Sequence, residues 1–196
     1  LPLPCGDAAS FRSESLMRLY ISVISAISRG LGVLAAALLF SAVLSVSHMV
    51  FVRYALGWST VWQTEYTAYA IVAATFLGAP WVLIVRGHVN VDILQLAASG
   101  PVRLVMQVLA ALFSLLFVVL LAYAGWIHFE EAWSGGWTSE TVWAVPLWMP
   151  LLPMPVGTVM LALQYVAEIM RLVIDGADPV DHEPVLFSDT TDEARP

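Results

Sequence analysis

The chain alternates long uncharged runs with short stretches that gather its charge. Gly30 to Val52 is 23 residues without a charged side chain, Tyr66 to Val85 is 20, and Leu104 to Phe129 is 26. About 20 apolar residues wound as a helix reach roughly 30 Å, the thickness of a bilayer's hydrocarbon core. The runs therefore predict spanning helices over 30–52, 62–85 and 104–129, the second extended back to Trp62. A last apolar run, Val142 to Ala167, contains Pro146, Pro150, Pro153 and Pro155. Proline removes a backbone donor and kinks a helix interior. Within an apolar segment of 150–174, the regular part of a fourth span is expected from Pro153 or Pro155 to about Ile174. The proline-rich approach must pack against protein or lie at the interface.

The stretches between the runs have their own pattern. From Glu14 to Arg29 the apolar residues Leu16, Leu19, Tyr20, Val23 and Ile27 recur at helical spacing, with Arg18, Ser22, Ser25 and Arg29 on the other side. This predicts an interfacial helix or a helical extension of the first span. Gly87 to Gly100 is too polar to cross a membrane. There Val89, Ile93, Leu96 and Ala97 share one helical face, Asn90 suits an N-cap and Asp92 the first turn, so a short interfacial helix is expected. Pro101 then opens the next element. Residues 1–13, with Pro2, Pro4 and Gly6, read as irregular, and Glu130 to Thr141, with Gly135-Gly136, as a loop. The predicted fold is an all-α integral membrane domain over 14–174: four transmembrane helices with a short interfacial amphipathic helix between spans two and three.

Composition supports the class. The chain is 60% hydrophobic and 12% charged, against about 25% charged in a soluble domain. The net charge of −7 belongs to a tail: residues 175–196 hold seven acids against Arg195 and are expected to be disordered. No basic patch points to nucleic acid, and the single cysteine, Cys5, excludes an intrachain disulfide and a cysteine-based metal site. All basic charge is arginine. With four spans, only Arg53 falls at the end opposite the termini, so the positive-inside rule places both termini in the cytoplasm. Tryptophan is lopsided the other way, with Trp58, Trp62, Trp126, Trp133, Trp137, Trp143 and Trp148 at the Arg53 end and Trp81 at the other.

No catalytic constellation appears: no Ser/His/Asp pattern, phosphate loop or metalloprotease helix. The spans carry few polar groups, among them His48, Thr75, Gln107, Ser114, His128 and Gln164. A carrier acting alone usually needs broken helices, paired acids or a lined cavity near the midplane. The chain therefore reads as a partner of something else, without a cofactor or a metal. Glu65, at the edge of span two, is the leading polar candidate, with headgroup capping or pairing with Arg53 as the plainer reading. Arg86, His88 and Asp92 cluster beyond the other end of that span, where His88 and Asp92 at i, i+4 can pair. His48 and His128 lie near the same end of spans one and three, which keeps open a haem b electron-transfer subunit. Gly78, with Ala70, Ala73, Ala74 and Ala79, keeps span two thin and suited to close packing against a partner.

The stretch from Arg53 to Leu94 resembles the small membrane subunit of TRAP transporters, the DctQ family. Arg53-Tyr54, Trp62, Glu65, Gly78, and then Arg86, Gly87, His88, Val91 and Asp92 carry the likeness, with Pro146, Leu147, Trp148, Pro150 and Pro155-Val156-Gly157 further on. Thr64 departs from it, where the family often has a second acid beside Glu65. The resemblance implies a bacterial inner-membrane subunit of a tripartite, sodium-coupled organic-acid importer. Its partners would be a large membrane subunit that carries the transport path and a periplasmic substrate-binding protein. Arg53, Trp62, Glu65, Gly78, Arg86, Gly87, His88 and Asp92 become partner-interface candidates. An accessory scaffold of the same family serving another membrane complex stays open.

Overall fold

The computed structural model describes residues 7–85, 100–141 and 143–175. Helix α1 (Asp7–Phe51) runs for 45 residues, about 67 Å. The amphipathic segment before Gly30 is thus a continuous extension of the first span, and the helix begins inside the stretch expected to be irregular. Asp7, suited to a helix N-terminus, and the helix-favouring Ala8 and Ala9 follow the last proline, Pro4. At its far end α1 widens into a π-helical turn, Val52–Leu56, and stops at Gly57, whose φ of 65° is left-handed.

Helix α2 (Val61–Ile84) has 24 residues with Pro80 inside it. Helix α3 (Gly100–Ser134) opens with Pro101 in its first turn, as expected, and has 35 residues. It continues through Glu130 and Glu131, where a loop was expected. Those charges mark where the helix leaves the apolar layer, and its end is set by glycine. Gly136, at φ 59°, turns the chain, its amide reaches the Trp133 carbonyl, and the Trp137 amide bonds the Ala132 carbonyl at 3.1 Å. That is a Schellman cap. The short helix α4 (Trp148–Leu151) precedes α5 (Pro153–Asp175), 23 residues long and starting at one of the two prolines expected to open it.

Among the described residues, four helices are long and apolar enough to cross a membrane: Ser15–Leu56, Val61–Ile84, Leu104–Ser134 and Trp148–Ile174. The expected interfacial helix, with Arg86, Gly87, His88 and Asp92, and the acidic tail beyond Asp175 lie outside the described residues.

The helices do not form a closed square. α1 packs on α2 and α5, α2 also on α5, and α3 on α5 and α4. α5 is therefore the common neighbour. Hydrogen bonds join α1 to α5 and α2: Ser28 Oγ donates to Gln164 Oε1 at 3.0 Å, the Tyr20 hydroxyl to the Leu163 carbonyl at 3.2 Å, and the Ser41 and Tyr66 hydroxyls are hydrogen-bonded at 2.8 Å.

α5 starts well below the tryptophan-rich end. Gly157 packs on the Phe76 carbonyl so closely that a Cβ there would collide with it. Phe76 lies 15 residues into α2 and Gly157 four residues into α5, and both helices run away from that end. At 1.5 Å per residue, Pro153 sits roughly 16 Å beneath the start of α2. α3 agrees, because Gly125 faces Met154 and α3 continues nine residues beyond Gly125. The segment from Val145 to Leu152 fills this gap, with α4 seated against α2 and α3.

Pro80 accounts for the close approach. It has no N–H, so the Phe76 carbonyl four residues earlier loses its helical donor. Gly157, lacking a side chain, brings its backbone against that carbonyl, where a Cα–H can partly replace the missing bond.

Candidate functional site

The tryptophan-rich end is organised around Glu65. This residue lies in the second turn of α2. Ser139 Oγ donates to Glu65 Oε1 at 3.0 Å. The Ser139 and Thr141 hydroxyls lie 3.1 Å apart, the Thr141 amide bonds Ser139 Oγ at 3.4 Å, and the Trp143 amide bonds Thr141 Oγ1 at 3.4 Å. The loop is closed by Ser139 N–H to the Val145 carbonyl at 2.9 Å and Leu147 N–H to the Trp137 carbonyl at 2.8 Å. Trp143 is thereby set edge-on to Trp62, ring centroids 6.4 Å apart, and Trp62 lies 6.3 Å from His48. α1, α2 and the 137–147 loop meet in one polar and aromatic cap. Glu65 Oε2 is buried and has no hydrogen-bond partner among the described residues.

Glu65 is thus partnered by a loop serine 74 positions away, and no ion pair joins it to Arg53 among the described residues. Arg53 projects, exposed, from the π-helical turn. The two histidines do not form a facing pair. His48 belongs to α1 and meets Trp62, whereas His128 belongs to α3, meets Trp137 at 5.9 Å, and has Nδ1 3.8 Å from Glu131 Oε2.

The thin face of α2 is used inside the chain. Ala70, Ala73 and Ala74 are buried, and a Cβ on Gly78 would stand 3.3 Å from Ala35 Cβ of α1. Gly78 therefore lies close to α1, and Ala35 and Ala42 of that helix are buried as well. An apolar groove of about 460 Å³ remains along this seam, bounded by Gly32, Ala35, Ala74, Gly78, Trp81 and Leu161.

Some polar groups within the spans make internal bonds, while Ser45 Oγ and Gln63 Oε1 are buried with no hydrogen-bond partner among the described residues. Gln164 holds Ser28, and Thr75 bonds the Ile71 carbonyl of its own helix at 2.8 Å. Among the described residues, no group of three or more His, Cys, Asp or Glu side chains could hold a metal ion. The arrangement offers packing surfaces and a polar and aromatic cap.

Comparison with known families decides the identity. The family model described as "Tripartite ATP-independent periplasmic transporters, DctQ component" matches residues 42–175, from the second half of α1 to the end of α5. The chain belongs to the DctQ family. No curated protein matches it. The chain is therefore a small permease subunit of the TRAP transporter type, and the Glu65 cap and the α5 start both lie within the DctQ region. Ser139, Ser28 and Gly157's contact with Phe76 had no individual signal in the sequence, since each acts on a residue far away along the chain.

Proposed function

We propose that this DctQ chain is the non-catalytic small permease subunit of a sodium-coupled TRAP importer of organic acids. It packs against the large membrane subunit and presents its tryptophan-rich end to the periplasmic binding protein. The observation that carries this is the uncovered face of α3. Only 11% of the most apolar window of this helix is buried within the chain, against 28% for α2. Leu109, Phe113, Leu116, Leu120, Tyr123 and Ile127 stand 40–71% exposed. Their spacing of four and three places them along one side of the helix, the seam used in left-handed helix packing. This reading leaves the transport path to the partner.

The test is reconstitution. Liposomes holding the large subunit with this chain and the binding protein are expected to take up an organic acid along a sodium gradient, and omission of this chain to abolish that uptake. Purified alone, the chain should move none. Undiminished uptake without it, or failure of the two membrane subunits to co-purify in mild detergent, would overturn the reading.

The same reading places both termini in the cytoplasm of a bacterium, with the chain in its inner membrane, on the arginine asymmetry. Single cysteines at 138 and 180 in a Cys5-free background are expected to react with an impermeant thiol reagent in intact cells at 138 alone. Labelling at 180 would reverse the orientation.

A further inference from the structure

The apolar groove along the α1–α2 seam lies within one half of the apolar layer. On α1 its wall runs from Gly32 to Leu39, two to nine residues past Gly30, where the uncharged run begins. On α2 it runs from Ala74 to Val82, eleven to three residues short of Val85, where that run ends. At 1.5 Å per residue, both helices place the groove between roughly 4 Å and 15 Å inside the edge nearer the N-terminus. Half of a bilayer's hydrocarbon core is about 15 Å. The groove therefore follows a single leaflet from near its edge to the midplane.

Its walls are set by the chain itself. Gly78 approaches Ala35, and the Trp81 ring lies so close to Gly32 that a Cβ there would collide with it. Leu161 of α5 adds a third side. The Thr75 hydroxyl on this surface is bonded to the Ile71 carbonyl at 2.8 Å. An occupant thus needs no hydrogen-bonding group. An apolar hollow of about 460 Å³ left empty would forfeit the dispersion contacts of its lining, and water does not settle in such a space. In a bilayer the material at hand is an acyl chain.

The headgroup end carries charge. Arg29 is the last charged residue before the run. It stands seven residues from Ala36 of the groove wall, two turns along nearly the same face of α1. It is exposed, and no acid among the described residues pairs with it. An arginine at the edge of an apolar layer extends its head toward the headgroups, where its planar fork matches a phosphate.

We propose that the groove and Arg29 form a binding site for one anionic phospholipid of this leaflet, with an acyl chain between α1 and α2 and the phosphate at the guanidinium. A zwitterionic lipid brings its own cation, which competes with Arg29; a headgroup of net negative charge does not. Under the orientation proposed above this is the cytoplasmic leaflet. The site itself requires only that the chain spans a bilayer, whatever complex it serves.

The experiment titrates the full-length chain, stripped of lipid in detergent, with phosphatidylglycerol or phosphatidylcholine and follows thermal unfolding. Phosphatidylglycerol is expected to raise the melting temperature and to half-saturate at a concentration about fivefold lower than phosphatidylcholine, the preference one arginine supplies. Arg29→Gln should make the two lipids equal. Ala36→Phe places a ring in the groove and should abolish both shifts. Val33→Phe is the control: Val33 is 72% exposed on α1 and outside the groove lining, so the variant should respond as the wild type. In cell membranes, a photo-crosslinking residue at Ala79 should give more phospholipid adduct than the same residue at Val33. Shifts that survive Ala36→Phe, equal response of the wild type to both lipids, or a preference that survives Arg29→Gln would overturn the site. So would capture of a protein helix at Ala79, or no more lipid there than at Val33.

Discussion

Gly157→Ala is expected to destabilise the isolated chain by about 2 kcal/mol, within the range for inserting a methyl group into a packed core. The direction is the informative part. A mid-helix glycine is normally worse than alanine by about 1 kcal/mol, so the same change in open space would stabilise. At Gly157 the new Cβ meets the Phe76 carbonyl and stands 2.9 Å from Phe76 Cβ. The first of these is backbone, which no rotamer change can move aside. Relief requires α5 to shift away from α2, and α5 is the helix on which α1, α2 and α3 all converge. Gly30→Ala is the matched control, since nothing lies within 4 Å of a Cβ there; it should be neutral or stabilising. Denaturant titration in micelles reads both. A Gly157→Ala chain as stable as the wild type would mean that the α2–α5 contact is looser than described.

The second expected result concerns the Ser28–Gln164 bond, and it is asymmetric. Ser28 is 0% and Gln164 4% exposed, and the serine hydroxyl donates across 3.0 Å to Gln164 Oε1. Ser28→Ala removes the donor and leaves a buried amide oxygen unserved, at about 1–2 kcal/mol. Gln164→Leu should cost less than about 1 kcal/mol, because a helical serine has a fallback in the carbonyl four residues earlier. This chain uses that bond at Ser47, Thr67 and Thr75. The double variant should then resemble Gln164→Leu alone, giving a coupling energy close to the extra cost of Ser28→Ala. Equal and additive losses in a double-mutant cycle would show that the two side chains do not act as a pair.

The four spans were legible because a bilayer demands length and excludes charge, and both properties are linear in sequence. The start of α5 was legible for a related reason, since proline acts on its own backbone and on the turn before it. The end of α3 was not. Glu130 and Glu131 report where the apolar layer stops, while the helix itself persists to the cap built by Gly136. Gly78 shows the limit more sharply. Its spacing with Ala70, Ala74 and Ala79 announces close packing but does not say against what, and Ala35 of the same chain lies against it. At Glu65 the candidate residue was visible and its partner was not. Arg53 is 12 positions away and of opposite charge, yet Ser139 holds the carboxylate. That choice is set by where the 137–147 loop folds back, which depends on the Gly136 turn and the low start of α5 together.

The packing order also bears on how the chain is made. α1 and α2 are consecutive and pack on each other, so they can settle as a pair soon after leaving the ribosome. α3 comes next in the chain, but the elements it packs on, α4 and α5, are both translated after it. During synthesis the third span enters the membrane before its place in the bundle exists. It waits as a single apolar helix until the last segment arrives and staples it to the first pair. A chain cut short before Pro153 would hold a docked hairpin and a third helix without its neighbour.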